Sequence, residues 1–302
     1  QDRIVIHNSG RVMYESSTTA IDSISFKNSV SSFSSSGTKI DIPISEIDSI
    51  TFSSEDVTAD EETVYVFYNG TSATVINPLQ EKGVSVTVDK ATVAITSTAD
   101  IDDIEYHVSG TTDAGSLSIS SAKNLTISLN DASIVNASGS AISVSGDVAT
   151  TITLPQGKVN SLSDGTSSKA NGTILTAGDI VFDGSGSLSL KGYKKHGVST
   201  GKSIYVKDGN ITISEAASDG LHSEGFSMDG GSLDIQATSD AIDAGGGQLT
   251  INDGDIKIVS TAQDVKGIKS DADLTINGGK LAMTISGAQS KGVSSKQNIN
   301  IN

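Results

Sequence analysis

Three series of short apolar segments advance through this chain in step, and their shared period restricts the fold more tightly than any other feature. The first series runs Ile204-Tyr205-Val206, Phe226-Ser227-Met228, Leu249-Thr250-Ile251, Leu274-Thr275-Ile276 and Ile299-Asn300-Ile301, at nearly even steps along the chain. The second marks Leu188, Ile211, Leu233, Ile256 and Leu281. The third is an aliphatic residue after a small one: Gly197-Val198, Gly220-Leu221, Ala241-Ile242, Gly267-Ile268 and Gly292-Val293. Each unit therefore holds three short strands and three turns, and the alternation within the strands gives each one buried side. Between the first two series the corner reads Asp208-Gly209-Asn210, Asp229-Gly230-Gly231, Asp253-Gly254-Asp255 or Asn277-Gly278-Gly279. Such pairs supply the left-handed backbone of a tight corner and are structural residues before they are ligands. Alone they would suit antiparallel hairpins, but three series advancing at one period do not. The repeat predicts an all-β fold: a right-handed, single-stranded parallel β-helix with three short strands per coil of about 21–26 residues. Its coils would stack about 4.8 Å apart.

Earlier segments read as looser coils: Leu117-Ser118-Ile119, Leu125-Thr126-Ile127, Ile142-Ser143-Val144, Thr151-Ile152-Thr153-Leu154 and Ile180-Val181-Phe182. Before them, Val64 to Tyr68 and Val84 to Val88 are strands expected to begin or cap the helix. The N-terminal region differs. Ile21-Asp22-Ser23-Ile24-Ser25-Phe26 returns further on as Ile47-Asp48-Ser49-Ile50-Thr51-Phe52. This gives a small duplicated β-module over residues 1–55, an acidic linker over 56–62 and the β-helix over 63–302. The last strand series ends without a cap, and an uncapped coil exposes a sheet edge, so the natural chain is expected to continue.

Composition narrows the partners. The chain of 302 residues carries a net charge of -16, which repels phosphate backbones and anionic membrane surfaces, so nucleic acid is not expected. It has no Cys, hence no disulfide, zinc thiolate or thiol nucleophile. No run is long and apolar enough to span a membrane. The start at Gln1 rather than Met suggests a processed or trimmed chain.

The stretch Ser218 to Gly225 reads SDGLHSEG, and Ser239 to Gly245 reads SDAIDAG. Aligned on the third series, the residue before each small-aliphatic pair runs His196, Asp219, Asp240, Lys266, Lys291, and the residue after it runs Ser199, His222, Asp243, Lys269, Ser294. In a parallel stack these columns become ladders. They are basic near Lys194, Lys195 and His196, then acidic, then basic again. Asp219, Asp240 and Asp243 should converge, with Asp264 reaching the same point from a longer turn. Carboxylates so close repel unless protonated or metal-bound, and all-oxygen ligation suits Ca²⁺. The competing reading is equally physical: Asp before Gly is an ordinary turn residue, and Asp240 and Asp243 could simply pair with Lys266 and Lys269. His222 reads as a turn or ligand-contact residue rather than a metal ligand. Glu224 and Asp271 are candidates for a second site, and Tyr193 and Tyr205 for sugar stacking.

The phrases Tyr106 to Gly146, "NSLSDG" (Asn160 to Gly165), "GSGSLSLKG" (Gly184 to Gly192), "HGVSTGKSIYVKDGNITI" (His196 to Ile213) and "SDGLHSEG" resemble a bacterial secreted carbohydrate-binding β-helix domain first characterised in a cellulose-degrading clostridium. The duplicated module resembles N-terminal segments of Bacteroides surface lipoproteins. The first resemblance implies a β-helix like that of family 9 polysaccharide lyases, bound calcium, a non-enzymatic role and binding of acidic polysaccharide such as polygalacturonate, with cellulose also bound. The second implies a secreted or cell-surface protein whose acylated Cys would lie upstream of Gln1.

Three functions are weighed. In the leading one, a monomer binds uronate polysaccharide through calcium held by Asp219, Asp240, Asp243 and Asp264. Lys194, Lys195, His196, His222, Lys266, Lys269 and Lys291 then contact the sugar. With 4% aromatic residues and no Trp, flat platforms for crystalline cellulose are scarce. The second is a polysaccharide lyase using Lys266 or Lys269 as base. The third is a structural adhesin or spacer with no sugar site.

Overall fold

The computed structural model describes residues 2–35, 37–54 and 62–302. The acidic linker inferred at 56–62 falls almost wholly outside the described residues. From Thr63 onward the chain winds into a parallel β-solenoid of about eight turns, and the three series are its three faces. Register proves the stacking residue by residue. On the first face Ile180, Ile204, Phe226, Leu249, Leu274 and Ile299 sit side by side. On the second, Leu188, Ile211, Leu233, Ile256 and Leu281 do so. On the third, the column is Leu117, Ile142, Ile174, Val198, Leu221, Ile242, Ile268 and Val293.

These columns point inward and fuse into one continuous core. Side chains on the other side of each strand face water, as the period of two requires. One expectation needs correction. Ile142 and Ile174 are direct neighbours in register, so the coil between them is longer than the inferred range. About half of its additional residues lie in the loop around Gly165 to Asn171, between the strands Val159–Asp164 and Gly172–Thr176, and the rest lengthen its other two corners. A loop at a corner can lengthen without disturbing the register on either side.

The corners are held by two devices. Gly209, Gly231, Gly254 and Gly279 all adopt positive φ, between 75° and 114°. The next coil is so close that a Cβ on Gly231 would lie 2.5 Å from the carbonyl oxygen of Gly209. Beside them runs a side-chain ladder: Asn252 Nδ2 donates to Asp229 Oδ1 (2.7 Å), Asn277 to Asn252 Oδ1 (2.8 Å) and Asn302 to Asn277 Oδ1 (2.7 Å). These corner Asp and Asn residues are thus structural, as read from the sequence.

The first rung explains why Thr63–Asn69 is apolar at nearly every position. Val64, Val66 and Tyr68 enter the solenoid core, while Tyr65 and Phe67 face the other way into a second core with Ile4, Ile6, Met13, Phe33, Ile42 and Ile76. A strand buried on both sides loses its alternation. The strand pairs in parallel with Ile104–Thr112 and antiparallel with Ser72–Ile76, and Val84–Asp89 pairs antiparallel with Thr92–Ser97. Two hairpins therefore close this end. Over them lies the N-terminal module, two three-stranded antiparallel sheets. The duplicated motif supplies an edge strand to each sheet, Ser23–Lys27 and Ser49–Ser53, with Phe26 and Phe52 exposed.

Module and solenoid are joined by buried polar contacts as well as by the shared core. Glu46 Oε2 lies 2.9 Å from His107 Nε2, and Asn8 Nδ2 donates to the carbonyl oxygen of Glu46 at 2.9 Å. The module is therefore docked on the solenoid rather than merely tethered to it. At the opposite end Ile299 and Ile301 are exposed.

Gly231→Ala combines a left-handed L-residue with the backbone overlap at Gly209. It should cost at least about 1–2 kcal/mol from the conformation alone, with more from the overlap. Urea unfolding of wild type and variant measures this, and equal midpoints would refute the corner argument.

Candidate functional site

Backbone register brings the two columns together on the ten-stranded face. Strands His196–Thr200, Leu221–Ser223, Ile242–Ala244, Lys266–Ser270 and Lys291–Ser295 stack in that order. Ser199, His222, Asp243, Lys269 and Ser294 fall in one outward row. The preceding positions are stitched by the main chain: Gly197 N–H donates to Asp219 O, Gly220 N–H to Asp240 O and Ala241 N–H to Lys266 O. Those bonds set His196, Asp219, Asp240 and Lys266 on successive rungs of a corner that is largely shielded from water.

Asp219, Asp240 and Asp243 do converge, each offering one oxygen within 4.8 Å of the others. Asp264 does not join them. It stands exposed on its longer turn in a left-handed conformation, where it accepts from Lys266 Nζ at 2.9 Å. Its place is explained by that short-range pair, which also takes the Lys266 ammonium away from Asp240. Asp240 Oδ1 instead accepts the backbone N–H of Lys266 at 2.7 Å. Lys269 does pair with Asp243 (3.0 Å) and also approaches Asp240 (3.6 Å). Lys291 is exposed, next to Lys266 in register. Lys194 and Lys195 are exposed immediately before His196.

Two imidazoles complete the cluster. His196 is 2% exposed and stacks on His222, with ring centroids 4.3 Å apart and planes 10° from parallel. His222 Nδ1 lies 3.0 Å from Asp219 Oδ2 and 3.5 Å from Asp243 Oδ2. Hydrogen bonds that it donates to these two carboxylates hold its pKa up at about 9, against the opposing effect of burial. His196 is the reverse. Burial, helped by the charges of His222 and Lys195, pushes it down to about 4 despite the pull of Asp219. At neutral pH a neutral imidazole therefore lies on an imidazolium.

The carboxylates divide in the same way. Burial raises Asp219 and Asp243, but hydrogen bonds from His222, and from Lys269 to Asp243, overturn that and leave both below the ordinary range. Asp240, with burial dominant and two like charges beside it, is pushed up. Lys269 is opposed by burial, yet Asp243 and Asp240 hold it above its usual value. Among these groups the charges nearly cancel: three carboxylates face one imidazolium and one ammonium.

Sequence reasoning missed Asp164. Its carboxylate is 1% exposed, Oδ1 accepts the amides of Tyr193 (2.6 Å) and Lys194 (3.4 Å), and Oδ2 has no partner. It fixes the turn that presents Lys194, Lys195 and His196, and its Asp-Gly context hid it among corner residues. Tyr193 lies under the Lys191 ammonium, 5.7 Å from the ring centre, and Tyr205 is partly exposed on the first face. Glu224 accepts the Gly246 amide and Asp271 pairs with Lys296, each engaged apart from the other. Further along the ten-stranded face, a shallow groove of about 450 Å³ runs over Thr96, Ser118, Ser120, Ser143, Leu175 and Ala177.

Residues 89–302 match the family described as carbohydrate-binding domain-containing protein. That span covers every residue of the cluster. The chain belongs to this family. Among solved structures, a polysaccharide lyase-like protein from C. thermocellum, described as a gadolinium derivative, is similar over 80% of this chain and 97% of its own, with a TM-score of 0.70 and 24% identity. That likeness shows a shared fold. No curated protein matches the sequence. The carbohydrate-binding domain thus carries its densest group of buried charges on one sheet face, at the corner where the His196 and Ser199 columns meet.

His222 holds its proton more tightly folded than unfolded, so its contribution is complete below about pH 6.5 and disappears as pH rises toward 9. His196 acts oppositely, since between about 6.5 and 4 only the unfolded imidazole takes up a proton, and acidification there destabilises. His222→Gln should accordingly lower the melting temperature more at pH 6.5 than at pH 10. Equal losses at both values would show that the ion pairs contribute nothing.

Proposed function

We propose that this carbohydrate-binding domain recognises an acidic, uronate-containing polysaccharide along its ten-stranded face, without catalysis and with the help of Ca²⁺ held by Asp219, Asp240 and Asp243. The observation that carries the reading is the registered pair of columns, His196-Asp219-Asp240-Lys266-Lys291 beside Ser199-His222-Asp243-Lys269-Ser294. A uronate chain is a repeating anion, and this surface presents charged groups at a repeat of about 4.8 Å.

The three carboxylates fit the ion. They are hard oxygen donors, and ligand oxygens about 2.3–2.6 Å from a Ca²⁺ are necessarily within about 5 Å of one another, as these are. Bound there, calcium would supply positive charge for sugar carboxylates on a protein whose net charge of -16 otherwise repels them. Lys269 and Lys291 supply further cationic contacts along the row.

A non-catalytic role is supported by the state of the lysines. A β-elimination base must be neutral, whereas Asp243 and Asp240 hold Lys269 in its charged form. Lys266 donates to both the backbone and the carboxylate of Asp264. A secreted or surface location, with a lipid anchor upstream of Gln1, is part of the same proposal.

Retention on polygalacturonate should be strong with Ca²⁺ present, fall away on chelation and drop at least tenfold in Asp240→Asn, with no unsaturated uronides released. Retention indifferent to chelation would remove calcium from the reading. No retention under either condition would remove uronate recognition, and unsaturated products would make the protein a lyase.

A further inference from the structure

One buried carboxylate serves a surface turn of the next coil. Asp164 is 1% exposed, and the two amides its Oδ1 accepts, those of Tyr193 and Lys194, belong to the following coil. The later coils make the same turn from main chain to main chain. Ala217 N–H donates to Gly192 O and Ser218 N–H to Lys195 O, both at 2.8 Å, and Thr238 N–H donates to Ala216 O at 3.0 Å. Before Tyr193 the preceding coil instead runs out into the loop Gly165 to Asn171, and the Asp164 carboxylate takes the place of those carbonyls. Burying a carboxylate with its second oxygen unpartnered costs free energy. What it secures is the turn Gly192 to Lys195.

That turn carries charge opposite in sign to the protein's net -16. Lys194 and Lys195 are exposed on it, and the Tyr193 ring holds the Lys191 ammonium 5.7 Å from its centre. Lys195 Nζ reaches back to Asn171 Oδ1 of the loop at 3.5 Å. Among the described residues no carboxylate lies at ion-pair distance from Lys191, Lys194 or Lys195, whereas Lys257, Lys269 and Lys296 each have one. The turn also adjoins the acidic corner. Lys195 O accepts the amide of Ser218, the residue before Asp219, so the two lie on successive rungs, about 4.8 Å apart.

We propose that Lys191, Lys194 and Lys195 form a metal-free subsite for a uronate carboxylate, with Asp164 as the positioning residue of their turn. The proposal rests on the uronate reading above and adds a second place where the same polysaccharide is held. At the aspartates a sugar carboxylate needs an intervening cation, whereas here ammonium groups donate charge-assisted hydrogen bonds to it directly. A turn fixed beforehand loses little freedom when the sugar arrives.

The test is the affinity of the full chain for polygalacturonate at saturating Ca²⁺ and low salt. The double variant Lys194→Ala, Lys195→Ala should bind about fivefold more weakly, the scale of two exposed charge pairs. The deficit should shrink as salt is raised, and Lys194→Arg with Lys195→Arg should restore affinity. Asp164→Ala should show a similar deficit, and Asp164→Asn, whose carbonyl oxygen can still accept both amides, should not. Added to the double lysine variant, Asp164→Ala should cost nothing further, which separates positioning of the lysines from a general loosening of the fold. Unchanged affinity in the double lysine variant would overturn the subsite, whether or not Asp164→Ala folds. A full second loss on combining the changes would overturn the role of Asp164. Wild type that is not retained at all would remove the uronate reading and the subsite together, whereas retained wild type with an equally retained lysine variant removes the subsite alone.

Discussion

Backbone hydrogen bonding from coil to coil is the interaction on which everything else rests, because it turns sequence period into spatial columns. Val198, Leu221, Ile242 and Ile268 are each separated by a whole coil of chain, yet they are consecutive rungs. Each rung adds buried aliphatic area worth about 1.5–3 kcal/mol per side chain, mostly offset by the entropy of ordering the coil. No single coil could therefore stand alone. Stability comes from neighbours, and the N-terminal module matters for that reason: through Tyr65, Phe67 and the Glu46–His107 contact it covers an end that would otherwise be an open sheet edge.

The same register that stacks aliphatic residues inside stacks whatever stands at the corner, including like charges. Asp219 and Asp240 follow one another at 5% and 8% exposure, an arrangement that costs free energy unless every lone pair is engaged. The chain engages them with main-chain donors and cations from adjacent rungs. Asp219 takes the Asp240 amide and His222, Asp240 takes the Lys266 amide, and Asp243 takes Lys269. The carboxylates are thus held in position before any ligand arrives, which is the condition for a site that binds without rearranging.

Much of this is legible in the sequence because a solenoid converts spacing into contact. Once the period is read, the neighbours of His222 follow by counting, and the observed row of Ser199, His222, Asp243, Lys269 and Ser294 agrees with that count. Counting stops where a corner carries extra residues. Position alone places Asp264 in the cluster, but its turn swings outward and its carboxylate finds Lys266 nearby in the chain before it can reach Asp240. Asp164 escapes for the converse reason, since an Asp-Gly pair looks alike whether its carboxylate faces water or, as here, holds two amides in the interior. The stacking of His196 on His222 has no sequence signal at all, because it depends on rotamers chosen by burial.

Position on the repeat also separates what keeps the fold from what decides the ligand. The inward columns hold apolar residues throughout, whereas the outward row changes from Ser143 and Leu175 through Ser199 to His222, Asp243 and Lys269 without altering the backbone beneath it. Chemistry can therefore be written along that row one coil at a time. The corner column is the exception. His196, Asp219 and Asp240 are buried like core residues yet charged or polar like site residues, so a change there would touch stability and the proposed recognition together. His222 and Lys269, on the outward row but in contact with that corner, are the positions where the proposed recognition could be altered at least cost to the fold.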